Sequence, residues 1–319
     1  MTHDVYICSK PLQYFNIRNI KRSGTREKDV LIFLNSFIDA PIFVDRVKEY
    51  DLSWGKVNLL KNRFSFYKYL FFHHADSIYV ELDSTFFYGL LKVLGCFKHM
   101  FLFEEGFGSY RRDRCRKAHG LKKWINKLTG VSDYVGESKF LEGIYLYMPD
   151  LYHQQLPEND KRLIPFAAPF VQHLKDELPL FLKLSDGYED FLYIKQKKIG
   201  IYLTSHQIKP EIIKQLIEDR NQFDILLLKP HPHLKNIDID TQYNVQIVRS
   251  NVMMEFLLII LLSNQNKLSV YHENSTAVIW FQDLIDNRNV GPVFEEYNIV
   301  ASYIKSLNTT SNNKEYVKQ

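Results

Sequence analysis

The stretch KIGIYLTSHQIKPEIIKQLIEDRNQFDILLLK, residues 198–229, predicts a strand, a helix and a second strand in succession. Residues 198–205 and 223–229 are short, largely apolar runs of the length of buried strands, and residues 209–220 carry apolar side chains at helical spacing. A strand that is followed by a helix and another strand favours a parallel pair joined by a right-handed crossover. The second half of the chain is therefore predicted to be an α/β sheet.

The first half of the chain repeats this alternation. Apolar strand-like runs stand at 4–8, 29–34, 77–82 and 99–105, with helical patterns at 12–22 and 84–95 between the members of each pair. In the second half, strand-like runs at 245–248 and 267–272 flank a strongly apolar helix. Both halves therefore predict open sheets with helical connections.

The length of 319 residues suits two domains. We place the boundary near Leu180, inside the proline-bearing region 156–190, which gives domains at 1–180 and 181–319. Two Rossmann-like sheets facing one another would form a cleft at the carboxyl ends of their strands, where ligands of such sheets bind. This outline resembles a GT-B-type glycosyltransferase, although an outline alone assigns no function.

Composition indicates the cellular compartment of the protein but does not identify its binding partner. The net charge of +4 selects no partner, and the three cysteines (Cys8, Cys96 and Cys115) follow no metal-ligand spacing, which favours a reducing compartment. The N-terminus has no signal-peptide pattern, and the longest apolar segment, 252–262, is far shorter than the roughly 20 residues of a membrane span. We expect a cytoplasmic protein in which this segment is a buried helix.

Two adjacent carboxylates follow a predicted strand in FLFEEGFGSY, where Glu104 and Glu105 precede Gly106. Adjacent residues of a strand point to opposite faces, so only one of them need face a site. A carboxylate there could accept a proton from a sugar hydroxyl if burial raised its pKa towards neutrality. A solvated turn rich in glutamate is the alternative interpretation.

The sequence KPHP follows the strand at 223–229 with two prolines around His231. Pro230 and Pro232 fix their own φ angles and push the preceding residues to extended geometry, so His231 is predicted to be held rigidly. Such an imidazole could donate to a departing phosphate, with Lys229 adding positive charge. A capped loop histidine, or a metal pair with His233, remains open.

The segment HENSTA closes a further predicted strand at His272. Ser275 and Thr276 are good N-cap residues, and a helix that begins there would offer backbone N–H groups to a phosphate. Plain capping would also explain them. Thr204 and Ser205, at the end of the strand 198–205, are further candidates for a nucleotide contact, with a simple turn as the alternative.

Taken in order, E-E-G, K-P-H-P and S-T resemble the D/E-D/E-G, H-P and S/S-T motifs of bacterial sialyltransferases. These are the lipooligosaccharide sialyltransferases of glycosyltransferase family 52 and the related capsular polysialyltransferases. CSKPLQ, residues 8–13, also resembles the T-P-L-Q opening of family 52. One departure is that NSTA replaces a pair of serines, which leaves open whether Ser275, Thr276 or both bind phosphate.

The resemblance implies an inverting, metal-independent transfer of sialic acid from CMP-sialic acid to a surface glycan that is expected to end in galactose. It makes Glu104, or else Glu105, the general base, and His231 the group that contacts the leaving phosphate. The residues expected at the CMP donor are Lys229, Pro232, Ser275, Thr276, Thr204, Ser205 and Glu273, and those on the acceptor side are Gly106 and Gln13. No cofactor and no metal are expected.

Two other functional classes stay open. One is a different nucleotide-linked transferase, using CMP-Kdo or CDP-glycerol, and the other is a non-catalytic protein that binds nucleotide or glycan. The D-x-D pattern at Asp238 and Asp240 follows no predicted strand, so we interpret it as a loop rather than a metal site.

The segment 110–128, YRRDRCRKAHGLKKWINKL, is basic and partly amphipathic. It could attract an anionic membrane surface at the inner face of the cell membrane, or be no more than a solvated helix. No nucleic-acid-binding motif accompanies it. The sequence leaves open whether an apolar helix pairs two chains as a homodimer.

Overall fold

The computed structural model describes residues 3–20, 26–111, 118–205, 207–231, 234 and 245–316. The chain divides into two compact units, Met1–His173 and Leu174–Gln319. The division lies seven residues before the predicted position, Leu180, and falls within one helix, Phe170–Leu184. Each unit has its own parallel sheet.

Unit 1 contains a seven-stranded parallel sheet in the order β3-β2-β1-β4-β5-β6-β7. Its central strands are almost wholly buried, as parallel sheets covered on both faces require. The strands are β1 (Val5–Cys8), β2 (Arg26–Leu34), β3 (Trp54–Leu60), β4 (Ala75–Val80), β5 (Phe97–Phe103), β6 (Gly143–Leu146) and β7 (Arg162–Pro165).

The helices of unit 1 fall into two sets. The chain moves from β1 outward to β3, returns to β4 beside β1, and then continues in the other direction. Right-handed connections consequently place α1 (Pro11–Ile20) and α2 (Ala40–Tyr50) on one face, and α3 (Arg63–His73), α4 (Phe86–Val93), α5 (Gly120–Thr129) and α6 (Pro149–Gln155) on the other. The ends of β1 and β4 form the topological switch point, where ligands of such sheets bind.

Unit 2 contains a five-stranded parallel sheet in the order β10-β9-β8-β11-β12. The strands are β8 (Lys198–Leu203), β9 (Ile225–Lys229), β10 (Gln246–Ile247), β11 (Lys267–His272) and β12 (Asp286–Asn289). The helices are α7 (Phe170–Leu184), whose first four residues belong to unit 1, and α8 (Glu189–Leu192), α9 (Pro210–Glu218), α10 (Met254–Ser263), α11 (Thr276–Ile279) and α12 (Glu295–Tyr316). Its switch point lies between β8 and β11.

The strongly apolar segment is the buried helix α10, as predicted, because most of its side chains are removed from solvent. Among the residues that the structure describes, none of the helices combines the length and the apolar character needed to cross a bilayer. The opening strand–helix–strand prediction is also confirmed, since β8, α9 and β9 occupy residues 198–229.

Candidate active site

Glu104 follows the last residue of β5 and turns into the protein, with 1% of its surface exposed. One carboxylate oxygen, Oε2, accepts hydrogen bonds from the Tyr147 backbone N–H at 2.8 Å and from the Tyr110 hydroxyl. The other oxygen, Oε1, is buried and has no hydrogen-bond partner among the described residues. Half of this carboxyl group is therefore anchored, and the other half is available to hold a proton.

Burial raises the pKa of Glu104 from 4.5 to about 8, while the bonds from Tyr110 and Tyr147 act in the opposite direction. Loss of solvation disfavours the ionised carboxylate, and two donors are too few to restore what water supplied. The side chain is therefore mostly a neutral acid at pH 7, and it exchanges its proton within the range where a general acid or base is most effective.

Gly106 makes this arrangement possible through its backbone conformation. Its φ is +107°, a value that side-chain-bearing residues rarely adopt, although nothing lies within 4 Å of the position of an added Cβ. The chain then enters a short 3-10 turn, Phe107–Tyr110, that returns the Tyr110 hydroxyl to Glu104. That hydroxyl also accepts the Met148 backbone N–H at 3.0 Å, which fixes its orientation.

Glu105 faces the opposite way and is exposed, in ion-pair contact with Lys10. Lys10 belongs to the CSKPLQ stretch, so the structure brings two of the sequence motifs together at the carboxyl edge of the sheet. Both glutamates lie beyond the end of β5, and one carboxyl is buried while the other is solvated, as the alternation argument predicted. Which of the two acts as base stays a prediction; burial favours Glu104, because the raised pKa makes its ionised form a stronger base than a solvated carboxylate.

Gln13 lies buried next to the end of β1, where it organises the first turn of the chain after that strand. Its Oε1 accepts the Ser9 backbone N–H at 2.6 Å and the Ser9 hydroxyl at 3.1 Å. The Ser9 hydroxyl also lies 3.4 Å from Glu81, which follows β4 and is ion-paired with Arg63. Gln13 therefore belongs to a polar cluster at the switch point of unit 1.

Glu81 and Arg63 belong to none of the motifs identified in the sequence. Three atoms of this cluster, Nε2 of Gln13, Oε2 of Glu81 and Nη1 of Arg63, are buried without a partner in the described part of the chain. Burial raises the pKa of Glu81, against the lowering effect of Arg63. A carboxylate directly after a strand was the available signal, and it is the same signal that identified Glu104.

In unit 2, the end of β8 is bound to the corner after β9. The Thr204 N–H donates to the Lys229 carbonyl at 3.1 Å, and the Thr204 hydroxyl accepts the His231 N–H at 2.7 Å. Thr204 is buried and His231 half-buried. The structure therefore fixes the main chain of His231 through a threonine on the neighbouring strand, whereas Pro232 and His233 lie outside the described residues.

Lys229 is buried at the end of β9, and its ammonium donates to the carbonyls of Pro230 and Ser250, both at 3.0 Å. Burial lowers its pKa to about 8, partly offset by the Glu255 carboxylate. In this structure the side chain stabilises the Pro230 corner, so binding a phosphate would require it to leave one of these carbonyls. Its predicted role at the donor stays a prediction.

Ser275 is the N-cap of α11, which begins at Thr276 as predicted. Its hydroxyl makes no capping bond, and its N–H instead donates to Nδ1 of His272 at 3.1 Å. The other nitrogen of His272 contacts Asn287, and burial lowers the pKa of His272, which keeps the ring neutral. Because α11 is a single turn, its dipole adds little to anion binding.

Glu273 is ion-paired with Lys209, and its pKa is lowered because bonds from Lys209 and Ser205 outweigh the effect of burial. Ser205 also donates to the Gln207 carbonyl at 3.3 Å. The structure therefore joins the loop after β8 to the loop after β11 through side chains that the sequence analysis placed together at the donor. Asn274, between Glu273 and Ser275, has a positive φ of 49°.

No group of three or more histidine, cysteine, aspartate or glutamate side chains suited to a metal ion occurs in the described part of the chain. Asp238 and Asp240 lie outside the described residues. The candidate residues that follow β5 lie at the carboxyl edge of the sheet of unit 1. Those that follow β8, β9 and β11 lie at the carboxyl edge of the sheet of unit 2.

No protein-family model matches the sequence, and no curated protein sequence matches it either. Solved structures are similar in fold. The UDP-GlcNAc 2-epimerase from Neisseria meningitidis bound to UDP-GlcNAc has a TM-score of 0.55 at 12% identity, covering 99% of this chain and 93% of that one. The UDP-GlcNAc 2-epimerase from Methanocaldococcus jannaschii, in complex with UDP-GlcNAc and UDP, has a TM-score of 0.54 at 14% identity, covering 95% and 92%.

A further solved structure is similar to the same extent. Arabidopsis thaliana UGT89C1, complexed with UDP, has a TM-score of 0.53 at 9% identity, covering 96% of this chain and 94% of that chain. These likenesses extend over both units. The predicted fold class is thereby confirmed: the chain has a GT-B-type fold made of two Rossmann-like α/β units.

Proposed function

We propose that this protein is a glycosyltransferase that uses a nucleotide-linked sugar, and specifically that it transfers sialic acid from CMP-sialic acid to a sugar hydroxyl of a bacterial surface glycan. The fold supports the nucleotide-sugar class, since the similar structures include proteins bound to UDP or UDP-GlcNAc. The order of the three strand-end motifs supports the sialic acid donor.

The observation that carries the proposal is the Glu104 carboxyl, with one anchored oxygen, one unpartnered oxygen and a pKa of about 8. In the proposed reaction the acceptor hydroxyl oxygen forms a bond to the anomeric carbon while the bond from that carbon to the CMP phosphate oxygen breaks. The electrons of the broken bond leave on the phosphate, and the fraction of Glu104 that is ionised at the working pH takes the hydroxyl proton. A positioned base of this kind adds roughly 10²–10⁴-fold to the rate.

The proposed role of His231 is to donate to the phosphate as negative charge develops on it. A hydrogen-bond donor that stabilises charge present only in the transition state increases the reaction rate without tightening the binding of the ground-state substrate. The hydrogen bond from the His231 N–H to the Thr204 hydroxyl supports this role, because a fixed main chain limits where the imidazole can lie. Ser275 and Thr276 follow β11, which is separated from β9 by β8 in the sheet, and they are the proposed further phosphate contacts.

The test is release of CMP from CMP-sialic acid, in the presence of EDTA, with galactose-terminated acceptors. The wild type is compared with Glu104→Gln, which keeps the size of the side chain, and with Glu105→Gln as the matched control one residue away. We expect acceptor-dependent turnover that falls at least about 100-fold in Glu104→Gln and in His231→Ala. Equal loss in Glu105→Gln would refute the assignment of the base.

A panel of donors separates the remaining alternatives. CMP-Kdo, CDP-glycerol and UDP-GlcNAc are offered in parallel with CMP-sialic acid, and consumption of one of the others in its place would replace the proposed donor. Protection of the protein by CMP against thermal unfolding, without turnover of any donor, would instead support the non-catalytic binding protein.

A further inference from the structure

Helices α3, α4 and α5 form a row on one face of the sheet of unit 1. Each contacts the next, and α4 approaches α5 so closely that a Cβ added to Gly89 would lie 2.1 Å from the Thr129 carbonyl oxygen. The outer side of this row is a single surface, which we call the α3–α5 surface. Its residues come from three separate parts of the sequence.

The α3–α5 surface exposes an unusual number of large apolar side chains. Nine of them are exposed, including Val93 at 84% and Trp124 at 61%. The full set is Phe64, Phe71, Phe72, Leu90, Val93, Leu94, Leu121, Trp124 and Leu128. Single exposed apolar residues are ordinary, but a concentration of this kind on adjacent helices is typical of a surface that meets another apolar phase.

Helix α5 is oriented with its apolar side outward. Leu121, Trp124 and Leu128 recur at the spacing of one helical face, and all three are exposed, whereas the polar Asn126 is buried. A surface helix of a soluble domain ordinarily does the reverse. The fold of unit 1 therefore leaves this apolar stripe in solvent although a polar side chain of the same helix is buried.

The charge on these helices has one sign. Residues 63–73, 86–93 and 120–129 contain no aspartate or glutamate, and their cationic side chains are Arg63, Lys68, Lys92, Lys122, Lys123 and Lys127. Glu81 pairs with Arg63 and Glu142 with Lys92. The other four lysines are exposed beside the apolar side chains, an arrangement typical of interfacial helices that bind anionic lipid.

We propose that the α3–α5 surface docks the protein on an anionic lipid bilayer, with the apolar side chains inserted at the headgroup boundary and the lysines against the lipid phosphates. A second copy of the chain fits less well, because a symmetric contact would set lysines against lysines. The sequence segment 110–128 contributes α5 to this surface, and α3 and α4 extend it. The proposal is independent of the reaction that the protein catalyses.

The test uses the full chain and sucrose-loaded vesicles, one set of phosphatidylcholine alone and one with added phosphatidylglycerol. We expect sedimentation with the anionic vesicles that weakens as salt increases, because surface charges are screened. Brominated lipids should quench tryptophan fluorescence in the wild type and less in Trp124→Phe, which reports insertion of this ring. Equal binding to both vesicle sets, or none to either, would overturn the proposal.

Variants assign the binding to this surface. Leu121→Ser combined with Trp124→Ser should weaken partitioning about 100-fold, because two apolar side chains no longer leave water. Changing Lys122, Lys123 and Lys127 to glutamine should weaken it about 100-fold by removing charge. Leu52→Ser is the matched control, since Leu52 is 83% exposed and follows α2 on the opposite face.

Both positions altered in the Leu121→Ser and Trp124→Ser variant are exposed, so we expect this variant to fold. An unchanged circular dichroism spectrum will establish that it does. A loss of vesicle binding in Leu52→Ser as large as the loss in the α5 variant would refute the assignment to the α3–α5 surface. Sedimentation equilibrium provides the last check: a dimer in the wild type that dissociates in the same α5 variant would identify a protein interface and overturn docking on lipid.

Discussion

Replacing Glu104 by glutamine should change how the stability of the protein depends on pH. The folded state raises the pKa of this carboxyl from 4.5 to about 8. Stability associated with the neutral acid is therefore fully present below the unfolded-state value of 4.5, and it is lost as the pH rises towards about 8. Glutamine has no such ionisation, so its curve lacks this loss.

The magnitude follows from the number of protons exchanged. Between the two pKa values the folded protein holds close to one proton more at this site than the unfolded chain, which gives a slope of about 1.4 kcal/mol per pH unit. From about pH 5.5 to about pH 7.5, the wild type should lose about 2 to 3 kcal/mol relative to Glu104→Gln. The glutamine amide also lacks a partner at the position of Oε1, but that cost does not vary with pH.

The assay is urea unfolding at a series of pH values, followed by circular dichroism and by tryptophan fluorescence, with wild type and variant compared at each pH. Trp54 is buried in unit 1 and reports on the unit that contains Glu104. Glu105→Gln is the control, and it should follow the wild-type curve because Glu104 is still present. Parallel curves for the wild type and Glu104→Gln would refute the buried, protonated carboxyl.

Three further predictions concern the groups around the two strand-end clusters. Tyr110→Phe should destabilise the protein by about 1–3 kcal/mol in urea unfolding, because the Met148 N–H and Glu104 both lose a partner. Gly106→Ala should cost about 1–3 kcal/mol despite the open space at its Cβ, since the strain lies in the backbone, and equal stability would contradict the positive φ. Thr204→Val should weaken CMP binding in calorimetry, because the His231 N–H loses its hydrogen bond to the Thr204 hydroxyl. Thr204→Ser keeps a hydroxyl and should bind CMP as the wild type does. Weakened binding in Thr204→Ser would refute the role of the hydroxyl.

Much of the fold is predictable from the sequence because buried parallel strands appear in it as short, largely apolar runs. The runs at 198–205 and 223–229 are largely apolar, and a helical pattern separates them, so β8, α9 and β9 could be located to within a few residues. The candidate site residues follow the strands, and the carboxyl ends of parallel strands share one edge of a sheet. Hence the two clusters could be proposed from local pattern alone.

The partners of the site residues were not predictable, because they are distant in the sequence. Glu104 is bound by Tyr147, which is 43 residues away, and Lys229 by the carbonyl of Ser250, which is 21 residues away. Nothing in the local sequence of Glu81 indicates that Arg63 will pair with it. Such contacts depend on how helices pack over the sheet, and no local pattern encodes them.

The sequence by itself determined that the chain forms two parallel α/β sheets with acidic and His-Pro motifs at their strand ends. These features depend on the periodicity of side chains and on the restricted geometry of proline, both of which act over a few residues. Only the tertiary structure decided that Glu104 is buried and neutral while Glu105 is solvated, and that α5 turns its apolar side outward. The free energy of a charge or an apolar group depends on the solvent it loses, and the surrounding fold determines that loss.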